Sequence, residues 1–513
     1  MTWLIAVALA LLSGWIQIRP RLANRYFGID TWRHLAVAEH IRQHRRYPGL
    51  MPEHYLIDEP CDYPPLFRYA LAVIPKRVLE EYQWLVSPAW DALHSVVIFV
   101  LAWRLTHVPA VGWLAQMVYA TTPIVIMENA SLTTRSCASL LFTLVASSLV
   151  AWGITGQWGW GAAGVLGIGM LVLTHRMALQ ALLVFVVGMG FCAGAWRYGA
   201  ALLAGLALAV LLSQGLYLKI LAGHVAMLTW WRGNIHHRYA HQIRGLPKPS
   251  ATATPDVVFR IYQAIRNAPW LAVIGADPWA TIVVFAGAWA WWTGRWDLLG
   301  LPPAAARAVV QWCGVLWVAA MAIRMVKALE FIGEGERYLE YAAAPAAVAI
   351  GALAWWWLPT PWGGWVLAGV VGVAVLGGLL PSLFLQRTVI MQDTDRSVTP
   401  TLRQMFARIN GLHGAAGQVR LATFPLYLAD STMYFTKARV LSTDSSFGHL
   451  RHYTPFFPVL QVPVGTLVHQ YRLTHLLINE RFVQLHELKI DPSAVVAREG
   501  TFALLDARKA VAS

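Results

Sequence analysis

Long apolar runs separated by short polar links occupy most of the first 385 residues. They lie at 1–18, 84–104, 108–127, 137–155, 158–175, 177–196, 198–220, 269–292, 308–326, 338–358 and 361–385. Each run is long enough to cross roughly 30 Å of hydrocarbon as a helix. The pattern therefore predicts a polytopic α-helical membrane protein with about eleven transmembrane helices.

The pattern changes near residue 388, where the apolar runs shorten and charged and turn residues return. Strand-like stretches at 419–424, 438–441, 474–479 and 502–505 alternate with helix-like stretches at 397–412, 427–434 and 464–471. This alternation predicts a small soluble α/β domain with a partly parallel sheet over 388–513, after a transmembrane domain over 1–387. The domain has no GxGxxG or GxxxxGK[ST] motif, so we do not expect it to bind a nucleotide.

Composition supports the membrane assignment and narrows the possible partners. The chain is 57% hydrophobic and only 13% charged, against about 25% charged in an average soluble domain. The formal net charge of +14 is not gathered in one soluble basic module, which argues against nucleic-acid binding. Anionic lipid headgroups or a phosphate-bearing substrate fit a basic membrane protein better.

The arrangement of charge between the apolar runs predicts the orientation. An odd number of spans places the two ends of the chain on opposite sides of the membrane. The short links carry arginine and almost no acid, which is typical of the cytoplasmic side. The long polar segments 19–83, 128–136, 221–268, 327–337 and everything after 386 then lie outside. We thus expect a cytoplasmic N-terminus and an extracytoplasmic C-terminal domain in the plasma or inner membrane.

The first external segment, 19–83, carries the first group of candidate residues. Asp30 stands at the start of a helix-like stretch that contains His34 and runs to His44. A carboxylate there is either a helix N-cap or a catalytic base facing the membrane surface. Further on, Asp62 and Tyr63 precede two prolines, which stiffen the backbone. That turn either holds both side chains against a pocket or is an ordinary surface loop.

A second group of ionisable residues lies at the ends of later spans. Glu128 follows the third span, His175 and Arg176 close the fifth, and Arg324 and Arg337 flank the last external link. Ionisable residues at membrane depth are costly and usually functional. By the predicted topology both groups reach the external face, where they suggest a polar, arginine-bearing site. The alternative is a set of unrelated salt bridges.

These motifs together resemble a known superfamily. An acid follows the first span, Tyr-Pro-Pro lies at 63–65, Leu-Thr-His at 173–175, and Glu-Gly-Glu-Arg-Tyr-Leu-Glu-Tyr at 334–341. In these features the chain is similar to the GT-C glycosyltransferases. That superfamily includes oligosaccharyltransferase catalytic subunits, protein O-mannosyltransferases and aminoarabinose transferases. The resemblance covers most of residues 1–345.

The resemblance implies an inverting transferase that takes a sugar from a polyprenyl-phosphate carrier. Asp30 would then be the general base, and Glu128 would support it or orient a lipid, glycan or protein acceptor. The remaining candidates would bind the donor phosphate or line the pocket: Arg337, Arg324, Arg176, His175, Tyr63, Asp62 and His34. Some members carry a metal-binding Asp-x-Asp motif in the second external loop, where this chain has Met-Glu-Asn-Ala at 127–130. We therefore predict no metal ligand and no cofactor.

Two other classes of protein stay open. An O-antigen ligase-like or polymerase-like enzyme would place its essential residues in a late large loop. A transporter or lipid flippase would carry ion-binding groups near the bilayer midplane, often in paired repeats. The C-terminal acids Asp393, Asp395, Asp430 and Asp444 lie among turn residues, which predicts solvated or capping roles. We thus expect the C-terminal domain to support the site without performing the chemistry.

Overall fold

The structure is a computed structural model that describes residues 1–57, 61–246, 264, 267–412, 414, 418–443 and 448–511. Its internal contacts divide the chain into two compact units. The first, called here the helical unit, comprises Met1–Arg25, Trp84–Leu218 and Pro255–Gln392. The second, the sheet unit, comprises Tyr26–Gln83, Lys219–Thr254 and Asp393–Ser513. The predicted C-terminal segment thus groups with two earlier segments of the chain.

The helical unit contains the apolar runs as helices. Its α-helices are Thr2–Ala23, Val86–Thr106, Pro109–Ala120, Pro123–Glu128, Arg135–Thr155, Trp158–Val172, Arg176–Ala193, Arg197–Leu212, Pro269–Ala276, Pro278–Thr293, Pro303–Met325, Ala343–Trp357, Gly363–Gly372 and Leu380–Gln386. The π-helical turns Val373–Leu379 and Arg387–Met391 continue the last two helices. Short 3₁₀ turns lie at Trp296–Leu299, Lys327–Ile332 and Gly335–Tyr341.

By length and composition, six helices in the described part of the chain are able to cross a membrane, or up to nine if each bent pair counts as one span. The chain is therefore a multi-pass membrane protein, as predicted, although the count of about eleven spans stays unconfirmed. The run predicted at 108–127 divides into Pro109–Ala120 and Pro123–Glu128. The run at 158–175 gives a helix of only 15 residues.

Three predicted spans are sharply bent. The bends measure 117° between Leu212 and Leu216, 97° between Ala276 and Pro278, and 58° between Tyr341 and Ala343. Gln214 and Gly215 have positive φ angles of 51° and 83°, which end the first of these helices. At the second bend Pro278 has no amide hydrogen to continue the helix. Apolar periodicity does not report such breaks, because the residues on both sides remain apolar.

A buried carboxylate joins four segments of the helical unit. Asp91 accepts hydrogen bonds from Tyr119 Oη and Gln17 Nε2, both at 2.6 Å, from Asn129 Nδ2 at 2.9 Å and from Ser13 Oγ at 3.2 Å. Four donors around one carboxylate satisfy most of its acceptor capacity. Asp91 therefore holds the segment that follows Glu128 against the first helix.

The sheet unit is built around five strands. They are β1 (Arg420–Phe424), β2 (Arg439–Val440), β3 (His475–Asn479), β4 (Val495–Glu499) and β5 (Phe502–Asp506). The α-helices of this unit are Thr31–His44, Leu66–Val73, Lys76–Tyr82, most of Leu216–Gly233, Pro400–Leu412, Ala429–Phe435, Val464–Tyr471 and Ala507–Val511. Its 3₁₀ turns are Ile235–His237, Leu426–Leu428, Gly448–His452, Leu485–Leu488 and Pro492–Ala494.

The strand order is β2-β1-β3-β5-β4. β1 pairs in parallel with β2 and β3, whereas β5 pairs antiparallel with β3 and β4. The partly parallel sheet is therefore confirmed, together with the predicted strands and helices. Sequence analysis missed β4, which is an edge strand whose residues alternate between exposed and partly exposed. Its two charged residues hide the strand pattern.

The first long loop of the chain joins this sheet. Tyr55 forms an isolated parallel bridge with Val440, and the Leu56 amide donates to the Val440 carbonyl at 2.8 Å. The Tyr55 hydroxyl also donates to Asp430 Oδ1 at 3.0 Å. Residues near position 55 are thus built into the domain that follows the membrane helices.

Candidate functional site

The predicted site residues divide between the two units. Asp30, His34, Asp62 and Tyr63 belong to the sheet unit. The remaining five belong to the helical unit: Glu128, His175, Arg176, Arg324 and Arg337. Each group has its own geometry and its own balance of charge.

Asp30 occupies the N-cap position of the helix Thr31–His44 but does not cap it. Its backbone is already helical, with φ −67° and ψ −19°, and its side chain makes no capping hydrogen bond. The side chain is exposed. Two residues earlier, Gly28 has a φ of 121°, a conformation that favours glycine, and its amide donates to the Arg396 carbonyl at 3.0 Å. The competing N-cap interpretation therefore does not account for the Asp30 carboxylate.

One turn after Asp30, the same helix face carries Arg33 and His34. Both side chains are buried, with 1% and 3% exposure. The Arg33 guanidinium lies 5.3 Å from the centre of the Tyr55 ring, and its Nη2 donates to Cys61 Sγ at 3.8 Å. A cation is thus fixed one helical turn from the predicted base.

His34 is held by a second buried arginine, Arg68. Arg68 Nε donates to His34 Nδ1 at 3.1 Å, so the neutral imidazole carries its proton on Nε2. The Arg68 guanidinium lies 4.6 Å from the centre of the Tyr63 ring. Its Nη1 donates to the Tyr47 hydroxyl, which in turn donates to the Tyr63 carbonyl at 2.8 Å. His34, Tyr63 and Arg68 therefore form one ordered cluster.

The two arginines carry hydrogen-bond donors that none of the described residues satisfies. Arg33 Nε, Arg33 Nη1 and Arg68 Nη2 are buried and have no hydrogen-bond partner in the described part of the chain. Neither arginine forms an ion pair with a described carboxylate. Sequence reasoning missed both residues because it chose arginines at the ends of spans. The signal was the spacing of Arg33 from Asp30 and the position of Arg68 three residues after Pro65.

The charge state of this cluster is fixed by its surroundings. Burial raises the pKa of Tyr55 well above its ordinary value, and the adjacent Asp430 carboxylate raises it further. Burial also raises the pKa of Tyr47 to about 12, although the charge of Arg68 opposes this. Burial disfavours the charge on Arg33, yet Tyr55, Cys61 and Asp430 raise its pKa above the ordinary value. The cluster thus keeps neutral hydroxyls and a permanent cation.

Asp62 is buried against the helix Leu216–Gly233. A Cβ atom added at Gly223 would lie 2.4 Å from Asp62 Oδ2, which is closer than any side chain tolerates. A glycine at 223 is therefore needed for Asp62 to occupy its position. The predicted rigid turn at 62–65 packs into the unit instead of lying on its surface.

In the helical unit, arginines and acids occur as pairs. Arg135 forms an ion pair with Glu128, Arg337 pairs with Glu334 at 2.7 Å, and Arg324 with Glu336 at 3.7 Å. The acid beside Arg337 is Glu334, one turn before it, and the flanking Glu336 pairs with Arg324 instead. Glu128 and Arg337 therefore start from a neutralised state.

The other predicted residues of the helical unit lie beside these pairs. His175 Nδ1 lies 3.2 Å from the Tyr341 hydroxyl, and Arg176 is buried at the start of its helix. Glu340, which was not among the predicted site residues, is buried and accepts a hydrogen bond from Ser139 Oγ at 2.9 Å. The segment 334–341 thus presents its polar side chains to the helix that begins at Arg135.

One interpretation of the C-terminal acids is wrong. Asp430 is buried and accepts from the Tyr55 and Thr443 hydroxyls, each at 3.0 Å, so it is neither solvated nor a cap. Asp393 stabilises a turn, because its Oδ1 accepts from the Arg396 amide at 2.6 Å and its carboxylate pairs with the Arg396 guanidinium. Asp395 lies 3.7 Å from Arg481 Nη1. Asp444 lies outside the described residues.

Within the described ranges, no three His, Cys, Asp or Glu side chains are grouped closely enough to hold a metal ion. The arrangement instead offers arginine donors, tyrosine hydroxyls and an exposed carboxylate. These groups are suited to binding an anion and accepting a proton.

The fold is similar to two kinds of solved membrane enzyme, although no protein-family model and no curated protein sequence matches the chain. The oligosaccharyltransferase AglB from Archaeoglobus fulgidus, in complex with an inhibitory peptide and a dolichol-phosphate, shares 10% identity at a TM-score of 0.59. That match covers 93% of this chain and 69% of AglB. ArnT from Cupriavidus metallidurans, bound to undecaprenyl phosphate, shares 14% identity at a TM-score of 0.54 and covers 98% and 97%. The chain has the GT-C fold, as its sequence predicts.

Proposed function

We propose that this protein is an inverting glycosyltransferase that moves a sugar from a polyprenyl-phosphate carrier to an acceptor at the external face of the membrane. One observation carries the proposal. Two buried arginines with unsatisfied donors share a unit with an exposed carboxylate, and one of the arginines is a helical turn from that carboxylate.

A phosphate group would accept hydrogen bonds from the buried donors of Arg33 and Arg68. A buried donor without a partner costs roughly 1–3 kcal/mol, and here three such donors belong to two cations. Guanidinium groups match phosphate oxygens with paired, charge-assisted hydrogen bonds. The phosphate of a lipid carrier would supply the missing acceptors.

Asp30 supplies the base that such a transfer requires. The acceptor oxygen attacks the anomeric carbon of the sugar, and the bond from that carbon to the phosphate oxygen breaks. The polyprenyl phosphate leaves with the bonding electrons, and the acceptor proton passes to the Asp30 carboxylate. Arg33 and Arg68 stabilise the charge that develops on the leaving phosphate.

The lipids bound to the two similar enzymes support this donor class. Dolichol-phosphate is present in the AglB complex and undecaprenyl phosphate in the ArnT complex. The residues of the helical unit keep the roles predicted from the resemblance. Glu128 would orient the acceptor, and the other four would contact the donor: Arg337, Arg324, Arg176 and His175.

The decisive experiment uses the Asp30→Asn variant. Asparagine keeps the shape of the side chain but does not take the proton. Loss of a general base costs roughly a hundredfold to ten-thousandfold in rate. We expect the purified variant to bind undecaprenyl phosphate as the wild type does, yet to transfer almost no sugar from a panel of polyprenyl-phosphate hexoses and pentoses.

A matched control is Asp491→Asn, at an exposed N-cap whose carboxylate accepts from the Ser493 amide at 2.7 Å. This variant should transfer sugar normally. Near-normal transfer by Asp30→Asn would instead remove Asp30 as the base. Failure of the wild type to bind any polyprenyl phosphate would contradict the donor class itself.

A further inference from the structure

Three arginines lie at one edge of the sheet. Arg420 begins β1, Arg439 begins β2, and Arg472 lies three residues before β3. Because these three strands run in parallel, their first residues meet at the same edge. Arg420 and Arg439 are direct register partners, so their side chains emerge on the same face. We call this group the arginine edge.

The arginine edge has no acidic partners. None of the three arginines forms an ion pair with a carboxylate in the described ranges. Arg420 instead donates to the Tyr471 and Arg472 carbonyls at 2.7 Å and 3.0 Å, and Arg439 donates to the Tyr55 carbonyl at 3.0 Å. Like charges directly opposite each other destabilise a sheet. Burial lowers the pKa of Arg420, and Arg439 and Arg472 lower it further.

Other arginines of the same domain are neutralised. Arg396, Arg408, Arg481 and Arg498 each pair with an aspartate or glutamate. Near the arginine edge the relevant acid is Asp506, which directly precedes a short helix. Its Oδ1 accepts from the Arg508 and Lys509 amides, at 2.9 Å and 3.4 Å. Asp506 thus bonds the start of that helix and forms no ion pair with Arg420, Arg439 or Arg472 among the described residues.

A cleft of about 430 Å³ opens beside the arginine edge. Its polar lining is Arg472, Arg508, His469 and Thr474, and Val468 and Val511 add apolar wall. Pockets for small ligands typically span about 300–1,000 Å³. The cleft is therefore large enough for one or two sugar rings.

We propose that the arginine edge and its cleft bind acidic sugar residues, bearing carboxylate or phosphate groups, of a glycan that this protein uses as its acceptor. The role of the glycan as acceptor rests on the proposed transferase function, whereas the binding of an acidic glycan does not depend on it. Arg472 and Arg508 would contact the anionic groups directly. Arg420 would hold Arg472 in its left-handed backbone conformation, which has a φ of 48°.

The test measures the binding of a short oligogalacturonate to the full-length protein in nanodiscs, with no donor present. The Arg472→Gln/Arg508→Gln variant removes two exposed charges from the cleft. We expect its affinity to fall at least tenfold and the salt dependence of binding to become shallower. The matched control is Arg408→Gln/Arg498→Gln, which removes two exposed arginines that already have acidic partners. The control should bind as the wild type does.

Several outcomes would overturn the proposal. They are unchanged binding by the cleft variant, an equal loss in the control, and tight binding of the methyl-esterified, uncharged oligomer. Competition by phosphatidylglycerol vesicles would assign the edge to a membrane surface instead. Thermal unfolding of both variants checks that they are folded, and Arg472→Gln alone gives a milder second variant. Because no sugar is transferred in this assay, failure of the proposed enzyme function leaves the result unaffected.

Discussion

Two sets of arginines near the predicted site residues, one in each unit, differ in their partners. In the helical unit, Arg135, Arg324 and Arg337 each have a glutamate partner. In the sheet unit, Arg33 and Arg68 are buried and form no ion pair with any carboxylate that the structure describes. Paired charges are explained by the fold, since each partner compensates the burial of the other. Burial of Arg33 and Arg68 is not compensated by such a partner among the described residues, which is why we propose them as the anion-binding residues.

The strongest test of the comparison breaks a pair in the helical unit. Arg135→Met would leave the partly buried Glu128 carboxylate without its partner. We expect a loss of about 3 kcal/mol in the free energy of unfolding, which is the low end for a buried pair because Glu128 keeps some exposure. Thermal unfolding in detergent measures this. The double variant Glu128→Gln/Arg135→Met should recover much of the loss, and no recovery would contradict the pairing.

The matching substitution in the sheet unit is Arg33→Met. Here we expect no loss of stability greater than about 1 kcal/mol, because Arg33 forms no ion pair with a described carboxylate and the nearby Asp430 keeps its two hydroxyl donors. Binding of undecaprenyl phosphate should fall by about a hundredfold, since charge-assisted hydrogen bonds contribute roughly 1.5–3 kcal/mol each. Calorimetry with the lipid measures the binding. A variant that unfolds as readily as Arg135→Met, yet binds lipid normally, would give Arg33 a structural role.

The variant Arg337→Lys tests whether an arginine of the helical unit that has an acidic partner also contacts the donor. Lysine keeps the charge toward Glu334 but loses the bidentate geometry of the guanidinium. If Arg337 contacts the donor phosphate, use of the donor should weaken by about tenfold, while thermal stability stays the same. The measurement is kcat/KM for the polyprenyl-phosphate sugar. Unchanged kcat/KM would assign Arg337 to its ion pair alone.

The smallest effect concerns an exposed pair of the sheet unit. Arg244 Nη2 donates to Glu487 Oε2 at 2.8 Å. This bond and the Gln484 amide lower the pKa of Glu487 to about 2 from an ordinary 4.5. A lowered carboxylate pKa stabilises the folded protein at pH values above the ordinary pKa of that carboxylate. This stabilisation is lost as the pH falls toward 2. Both side chains are partly exposed, so the gain is about 0.5 kcal/mol or less.

The measurement compares wild type with Glu487→Gln at two pH values. The variant should melt at a slightly lower temperature at pH 7, and the difference should shrink at about pH 3, because the carboxylate is by then protonated in the unfolded wild type and part of the gain is lost. A difference that grows in acid would contradict the assigned sign. The small stability effect of this exposed pair is the reference with which the larger effects of the buried charges are compared.

The sequence was sufficient to predict elements that depend on local pattern. Apolar runs, the partly parallel sheet and the exposed Asp30 after the first helix all follow from periodicity, turn residues and position. Asp430 was misjudged because its partner Tyr55 lies 375 residues away, and no local pattern reports such a contact. For Arg33 and Arg68 the spacing from Asp30 and Pro65 was a local signal, but their burial is a property of the folded chain that the sequence does not report.

The same long-range contacts determine when, during translation, the first long loop is able to complete its folding. The loop that carries Asp30, Arg33 and Asp62 also carries Tyr55, whose hydroxyl contacts Asp430. Asp430 is translated 375 residues after Tyr55. At about 5–20 residues per second, a ribosome needs roughly 20–75 seconds to cover this distance. The loop therefore leaves the insertion machinery well before its partners exist. A nascent chain stalled before residue 430 would have inserted helices and a loop that lacks its contact with Asp430. Cellular quality control would therefore have to protect that loop until the segment around residue 430 is made.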